Sequence, residues 1–231
     1  KIFSLIILFV LSFNQAFAED IPVIVIAPSK KAQSISTVGT SVTVLDEKFF
    51  KNSNEYFLGD VLAGNTTSMN FFQNGGHGQT SAIQLRGLPK RYSTVYIDGV
   101  KMSDPSNPDN SFYISNIMKD SIQRIEILKG SQSSLYGSNA IGGTINIFIK
   151  KGKKGRNTNY NILNGSNGTS NLNASFDTAY DNQDFYIGFN SFKTDGISAM
   201  NDAQNINDDD GYNNQSVAGN YGYKIDDNLN L

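Results

Sequence analysis

From Asn157 onward, apolar and polar residues alternate with a period of two. In "NLNASFDTAY", Leu172, Ala174, Phe176 and Tyr180 fall on one set of positions and Asn171, Asn173, Ser175, Asp177 and Ala179 on the other. Phe185, Ile187 and Phe189 then alternate with Tyr186, Gly188 and Asn190. Val217, Gly219, Tyr221, Tyr223 and Ile225 alternate with Ala218, Asn220, Gly222 and Lys224. Successive side chains of a strand point to opposite faces, so each run predicts a strand with one apolar and one polar face. A soluble antiparallel sheet carries this pattern with core on one side and water on the other. A transmembrane barrel carries it with lipid outside and a wet lumen inside, over strands of about 9–11 residues. The connections favour the barrel. Short ones at Asp181 to Asp184 and Asp226 to Asn228 alternate with longer ones at Asn164 to Gly168 and Thr194 to Asn213. Tyr160, Tyr180, Phe192 and Tyr212, near strand ends, fit an interfacial aromatic girdle. Open edges are not tolerated in hydrocarbon, so closure needs more strands than these four or five.

The first 150 residues read differently. Lys1, the apolar run Ile2 to Phe13 and Ala16-Phe17-Ala18 make the pattern of a secretory signal peptide over residues 1–18. The run is too short for a membrane-spanning helix. Lysine at position 1 and an alternating run that stops at Leu231 mark the sequence as a piece of a longer protein. After the leader comes "IPVIVIAP", a short β-branched run. A helix is expected within "SNEYFLGDVLAG", capped by Ser53 or Asn54 and ended by Gly64. Strands follow in "SAIQLRG" and "STVYIDGV", where Asp98-Gly99 is a hairpin signal. Further strands are expected in "SIQRIEILKG" and at Thr144 to Ile149, the latter after Gly137, Gly142 and Gly143. Short helices interleaved with strands predict a small α+β domain. The basic "KKGKKGR" at Lys150 to Arg156 separates it from the alternating part, and 17 of the 28 asparagines lie beyond Arg156. The expected organisation is a leader at 1–18, an extended segment at 19–30, an α+β domain at 31–152 and the first strands of an antiparallel barrel at 157–231.

Composition removes several function classes. There is no cysteine, hence neither a disulfide framework nor a thiolate metal site. His77 is the only histidine and cannot form a histidine-based zinc site alone. Nineteen Lys+Arg against 21 Asp+Glu, with no basic stripe, argue against a nucleic-acid partner. No nucleophile–base pair or carboxylate dyad points to an enzyme, and no cofactor is required. The loop "NGGHG" is followed neither by a helix pattern nor by Lys-Ser/Thr, so it does not read as a phosphate loop. Asp195, Asp208 and Asp210, in and beside "NDAQNINDDDG", carry oxygen ligands of the type calcium takes. A solvated acidic loop is the plainer reading of the same residues.

The order "VYIDGV", "IQRIEILKG", "SSLYGSNAIGGTINI" resembles the plug domain of TonB-dependent outer-membrane transporters, and "NGGHGQTSAIQLRG" is similar to the cobalamin branch of that family. The resemblance runs from about Ile21 to Lys151. It implies a plug that fills a large barrel in the Gram-negative outer membrane, in contact with outer-membrane lipid. Ile21, Pro22, Val23, Ile24, Val25, Ile26 and Ala27 occupy the place of the TonB box, a loosely held segment that pairs as an added strand with the periplasmic TonB protein. Arg86, Arg124 and Glu126 match charges that latch the plug to the barrel wall, although Arg124 and Glu126 share a strand face and can pair with each other. Lys129-Gly130-Ser131 departs from the family's Arg-Gly-Pro. The resemblance places Asn74, Gln79 and Ser81 in an apical substrate loop, with Met102 and Ser103 in a neighbouring loop. It also implies calcium at loop aspartates. The expected function is energy-coupled uptake of a large scarce ligand, cobalamin first and a ferric siderophore second. A plugged porin-like or surface-interaction barrel is the other class in contention.

Overall fold

The computed structural model describes residues 23–198 and 209–225. Ile21, Pro22, the leader, Asp208 and the turn at 226–228 lie outside the described residues. In chain order the elements are β1 (Ile24–Val25), β2 (Gln33–Ser34), β3 (Ser41–Leu45), α1 (Glu47–Asn52), α2 (Leu58–Ala63), β4 (Met69–Gln73) and β5 (Ser81–Leu85). There follow β6 (Ser93–Ile97), β7 (Val100–Met102), β8 (Ile122–Lys129), α3 (Ser133–Tyr136) and β9 (Gly143–Ile149). The C-terminal part holds β10 (Gly155–Asn164), β11 (Ser170–Tyr180), β12 (Gln183–Thr194) and β13 (Tyr212–Tyr223).

The N-terminal part is an α+β unit built on a mixed sheet of order β3-β8-β9-β6-β7, in which β6 and β9 are parallel and the other neighbours antiparallel. The isoleucine-rich strands predicted at "SIQRIEILKG" and "TINIFI" form its centre. Ile122, Ile125, Ile127 and Ile145 are fully buried beneath Leu58, Val61 and Leu62 of α2. Asp98 and Gly99 have positive φ (45° and 83°) and close the two-residue hairpin between β6 and β7. Gly143 opens β9 at φ 146°, and a Cβ there would sit 2.1 Å from the Leu128 carbonyl oxygen. Only glycine lets the two central strands approach that closely.

Two helix expectations change. α1 was not predicted, although Asp46 caps it by accepting from the Phe49 N–H at 2.9 Å. α2 starts at Leu58 with no side-chain cap, because residues before it are used elsewhere. Phe57 bridges to Met118, and the Leu58 N–H donates to the Ile117 carbonyl at 2.8 Å. Ser53 instead ends α1.

β10 to β13 form a four-stranded antiparallel meander, open in the described chain. A two-residue turn joins β11 to β12, and 17 residues separate β12 from β13. The sheet wears its polar face inward. Asn171, Asn173, Asp177, Tyr186 and Asn190 are buried, while Leu172, Phe185, Ile187, Phe189 and Val217 are exposed. Cross-strand pairs Phe176–Ile187, Ala174–Phe189 and Phe189–Val217 run along the exposed face. The inward face touches the α+β unit through side chains: Asn190 Nδ2 donates to Ser121 Oγ at 3.3 Å, and Tyr212 Oη to Asn116 Oδ1 at 2.8 Å.

The same alternation corrects the aromatic girdle. Tyr160 and Tyr180 face outward, 80% and 78% exposed, but Phe192 is 1% exposed and packs on Phe57. Position 192 has the opposite parity to 185, 187 and 189, which points its ring inward.

Candidate functional site

Two regions carry the candidate residues: the loop between β4 and β5, and the N-terminal segment with the face of β8 that receives it.

The β4–β5 loop is a wide hairpin end. Asn74 N–H donates to the Thr80 carbonyl at 3.0 Å and Asn74 Nδ2 to Thr80 Oγ1 at 3.3 Å. Gln73 Nε2 donates to the Gly76 carbonyl at 2.5 Å. The tip is fixed by an aromatic cluster that sequence reasoning missed. The His77 ring lies 5.0 Å from Phe57, 5.3 Å from Phe192 and 5.8 Å from Tyr212. Gly78 takes φ 80°, and a Cβ there would lie 2.4 Å from the Tyr212 ring. His77 is therefore an anchor of the loop on β12 and β13. Among the described residues no group of three or more His, Cys, Asp or Glu could hold a metal ion. Inward parity at 192 was the available signal.

Beside His77 opens a cavity of about 600 Å³, lined by Gln73, Gly75 and Gly76 on one side and Asn167, Thr169, Thr194 and Ile197 on the other. Asp60 lines it too, and burial raises its carboxyl above the ordinary value. Asn74 and Gln79 are exposed, with the Gln79 carbonyl accepting from Ser115 Oγ at 3.3 Å. Ser81 departs from the expectation. It is 5% exposed and its Oγ is buried without a hydrogen-bond partner, because position 81 points into the fold. Met102 and Ser103 line a separate cavity of about 400 Å³ with Arg91, Asp109 and Asn110. The cavity beside His77 and the cavity beside Met102 have no lining residue in common. Asp195 and Asp210 stand on the two limbs of the β12–β13 connection, which meet where the Asp210 N–H donates to the Ile197 carbonyl at 3.3 Å.

The N-terminal segment is seated, not loose. Ile24 and Val25 pair with Ser34 and Gln33, and the Ile35 N–H donates to the Val23 carbonyl at 2.8 Å. Val25 and Ala27 are buried, whereas Val23 and Ile24 are about half exposed. Glu126, in the middle of β8 and fully buried, faces this segment. Its Oε2 accepts from the N–H groups of Ile26 and Ala27 at 2.9 and 2.7 Å, and Arg124 Nε donates to Oε1 at 2.9 Å. Both oxygens of Glu126 are therefore bonded inside the domain among the described residues. The Arg124 guanidinium also lies 4.4 Å from the Phe148 ring centroid. Arg86 is exposed at φ 54° and makes no ion pair among the described residues.

A family profile described as TonB-dependent Receptor Plug Domain matches residues 34–144. Those residues are a TonB-dependent receptor plug domain. The chain is also similar to the vitamin B12 transporter BtuB of Vibrio vulnificus (strain YJ016), at 28% identity over 205 residues, covering 88% of this chain and 33% of that one. Among solved structures it resembles the ferripyoverdine receptor of the Pseudomonas aeruginosa outer membrane, with TM-score 0.69 and 14% identity over 89% of this chain and 26% of that one. It also resembles the siderophore receptor PiuA of Acinetobacter baumannii, with TM-score 0.62 and 19% identity over 84% of this chain and 25% of that one. The chain thus spans about a third of the curated relative's length. The family consists of outer-membrane β-barrel receptors and transporters, and no helix among the described residues is long and apolar enough to cross a membrane.

Proposed function

We propose that this chain is the plug and first wall of an outer-membrane receptor that imports a large scarce ligand in an energy-coupled step. The observation that carries the reading is the placement of the plug against the polar face of β11 to β13 while their apolar face is left exposed. A soluble sheet would do the reverse, whereas a barrel wall in lipid requires this arrangement. Asn74, Gln79 and the glycine-rich tip offer hydrogen-bonding groups and close backbone approach to a ligand. Met102 and Ser103 offer a second, separate contact. Residues 21–27 supply a β-prone strand whose main chain the periplasmic TonB protein takes up. Arg86, free of ion pairs among the described residues, is a candidate for a latch to the wall, with Arg124 and Glu126.

Cobalamin is the first ligand, supported by similarity to a vitamin B12 transporter. A ferric siderophore is the second, favoured by the likeness in fold to siderophore receptors. Binding of cobalamin to the full-length barrel, with calcium and with a chelator, separates them. Tight binding that weakens on chelation is expected, and Asp195→Ala/Asp210→Ala should remove the calcium dependence. No binding by a folded barrel would move the ligand to the siderophore class. Ile24→Pro should abolish uptake and leave surface binding intact, because proline removes a main-chain donor from the strand to be paired. Unchanged uptake would remove the coupling role of residues 21–27.

A further inference from the structure

Glu126 and Tyr136 hold the N-terminal segment by hydrogen bonds to its main chain. One carboxylate oxygen of Glu126 accepts from two successive N–H groups, those of Ile26 and Ala27. Tyr136 Oη donates to the Ala27 carbonyl at 2.5 Å. Burial and the neighbouring Glu126 charge push the Tyr136 phenol up to about 12, so it stays a donor at every physiological pH. Tyr136 is itself fixed by Tyr96, whose Oη donates to the Tyr136 carbonyl at 2.9 Å and whose ring meets it edge-on at 4.9 Å.

We infer that Glu126 and Tyr136 form a main-chain catch on residues 26–27 that competes directly with strand addition by a partner. This rests on the reading of residues 21–27 as the coupling segment. A strand pairs through N–H and C=O groups projecting alternately to its two sides. Two successive N–H groups converging on one oxygen are not in that arrangement, and the Ala27 carbonyl is also taken. A partner can extend its pairing through Ala27 only after Glu126 lets go. The hold is charge-assisted and lies in a buried site, where such bonds are strongest. Freeing the segment strips two donors from a fully buried carboxylate and leaves it with Arg124 alone, which disfavours release. Val23 and Ile24, about half exposed, stay accessible for recognition while Val25 and Ala27 are buried.

The test uses the full-length chain in bilayers. The 231 residues contain no cysteine, so a nitroxide on Val23→Cys reports on this segment and one on Val100→Cys, exposed on β7, reports on the sheet. Glu126→Gln places an amide donor against either Arg124 or the Ile26 and Ala27 donors. It should raise the ratio of mobile to immobile signal at position 23 about tenfold or more, as expected for the loss of a charged hydrogen bond. Tyr136→Phe, which leaves β8 untouched, should move the same ratio in the same direction. The Val100→Cys spectrum should not change. An immobile label at 23 in both variants overturns the catch, as does equal loosening at 100, which would make Glu126 a general core residue. Binding of the TonB C-terminal domain, measured on the same samples, should rise with the mobile fraction. A freed segment without increased binding leaves the catch standing and removes the coupling role of residues 21–27.

Discussion

Single positions decide where the plug is rigid. Gly143 combines positive φ with a carbonyl 2.1 Å from where a Cβ would stand. Gly143→Ala should cost at least about 1–3 kcal/mol, read as a lower denaturant midpoint for plug unfolding in the full-length chain. An unchanged midpoint would show that β8 and β9 can separate at little cost. Phe192 is its counterpart on the wall. Truncation of this buried ring to alanine should cost about 3–5 kcal/mol and loosen the His77 loop, seen as faster amide exchange at residues 75–79. The glycine was legible in the sequence because the "AIGG" run before a β-branched strand asks for special backbone. Phe192 stands near a strand end, where an aromatic ring can face lipid, but its parity points the ring inward. Glu126 was half legible. Its pairing with Arg124 followed from two-residue spacing on one strand face, but its bonds to Ile26 and Ala27 span about 100 residues and carry no local signature.

At the scale of elements, the plug is tied to the wall by its linker. Lys153 Nζ lies 2.7 Å from Glu47 Oε2 on α1, and Lys51 also pairs with Glu47. Burial acts to raise the Glu47 pKa, but the hydrogen bonds and charges of Lys153 and Lys51 outweigh it, so its carboxyl is held below the ordinary 4.5. A depressed carboxylate adds stability that is present above its unfolded pKa and is lost as pH falls through the folded one. The stability difference between the parent and Glu47→Gln should therefore be constant at neutral pH and vanish on acidification below about 4.5. A difference that did not decline at all on acidification would rule out this pair as its source. α1 itself could be read from Asp46 followed by Glu47, a cap signal before an amphipathic turn. The start of α2 could not, since Ser53 and Asn54 are good caps by type and only the long-range Phe57–Met118 bridge displaces them. The strands of the meander were legible where apolar residues recur on one parity, as at Leu172, Ala174 and Phe176 or Phe185, Ile187 and Phe189.

For the molecule as a whole, the inverted faces of β11 to β13 govern everything else. A lysine at Ile187, on the exposed face, should cost about 2–4 kcal/mol if that position lies near the bilayer midplane. The same change in a soluble sheet's solvent face would be close to neutral, so folding into bilayers compared with detergent reads the difference. On the proposed reading the plug stands between the outer loops and the periplasm, and ligand passes only if the plug is moved. The most direct test of that claim is uptake of radiolabelled ligand by cells carrying the full-length chain, with TonB present and with TonB deleted. Surface binding should be equal in the two strains and uptake should be lost without TonB. Equal uptake in both would make the barrel a passive pore and contradict energy-coupled import.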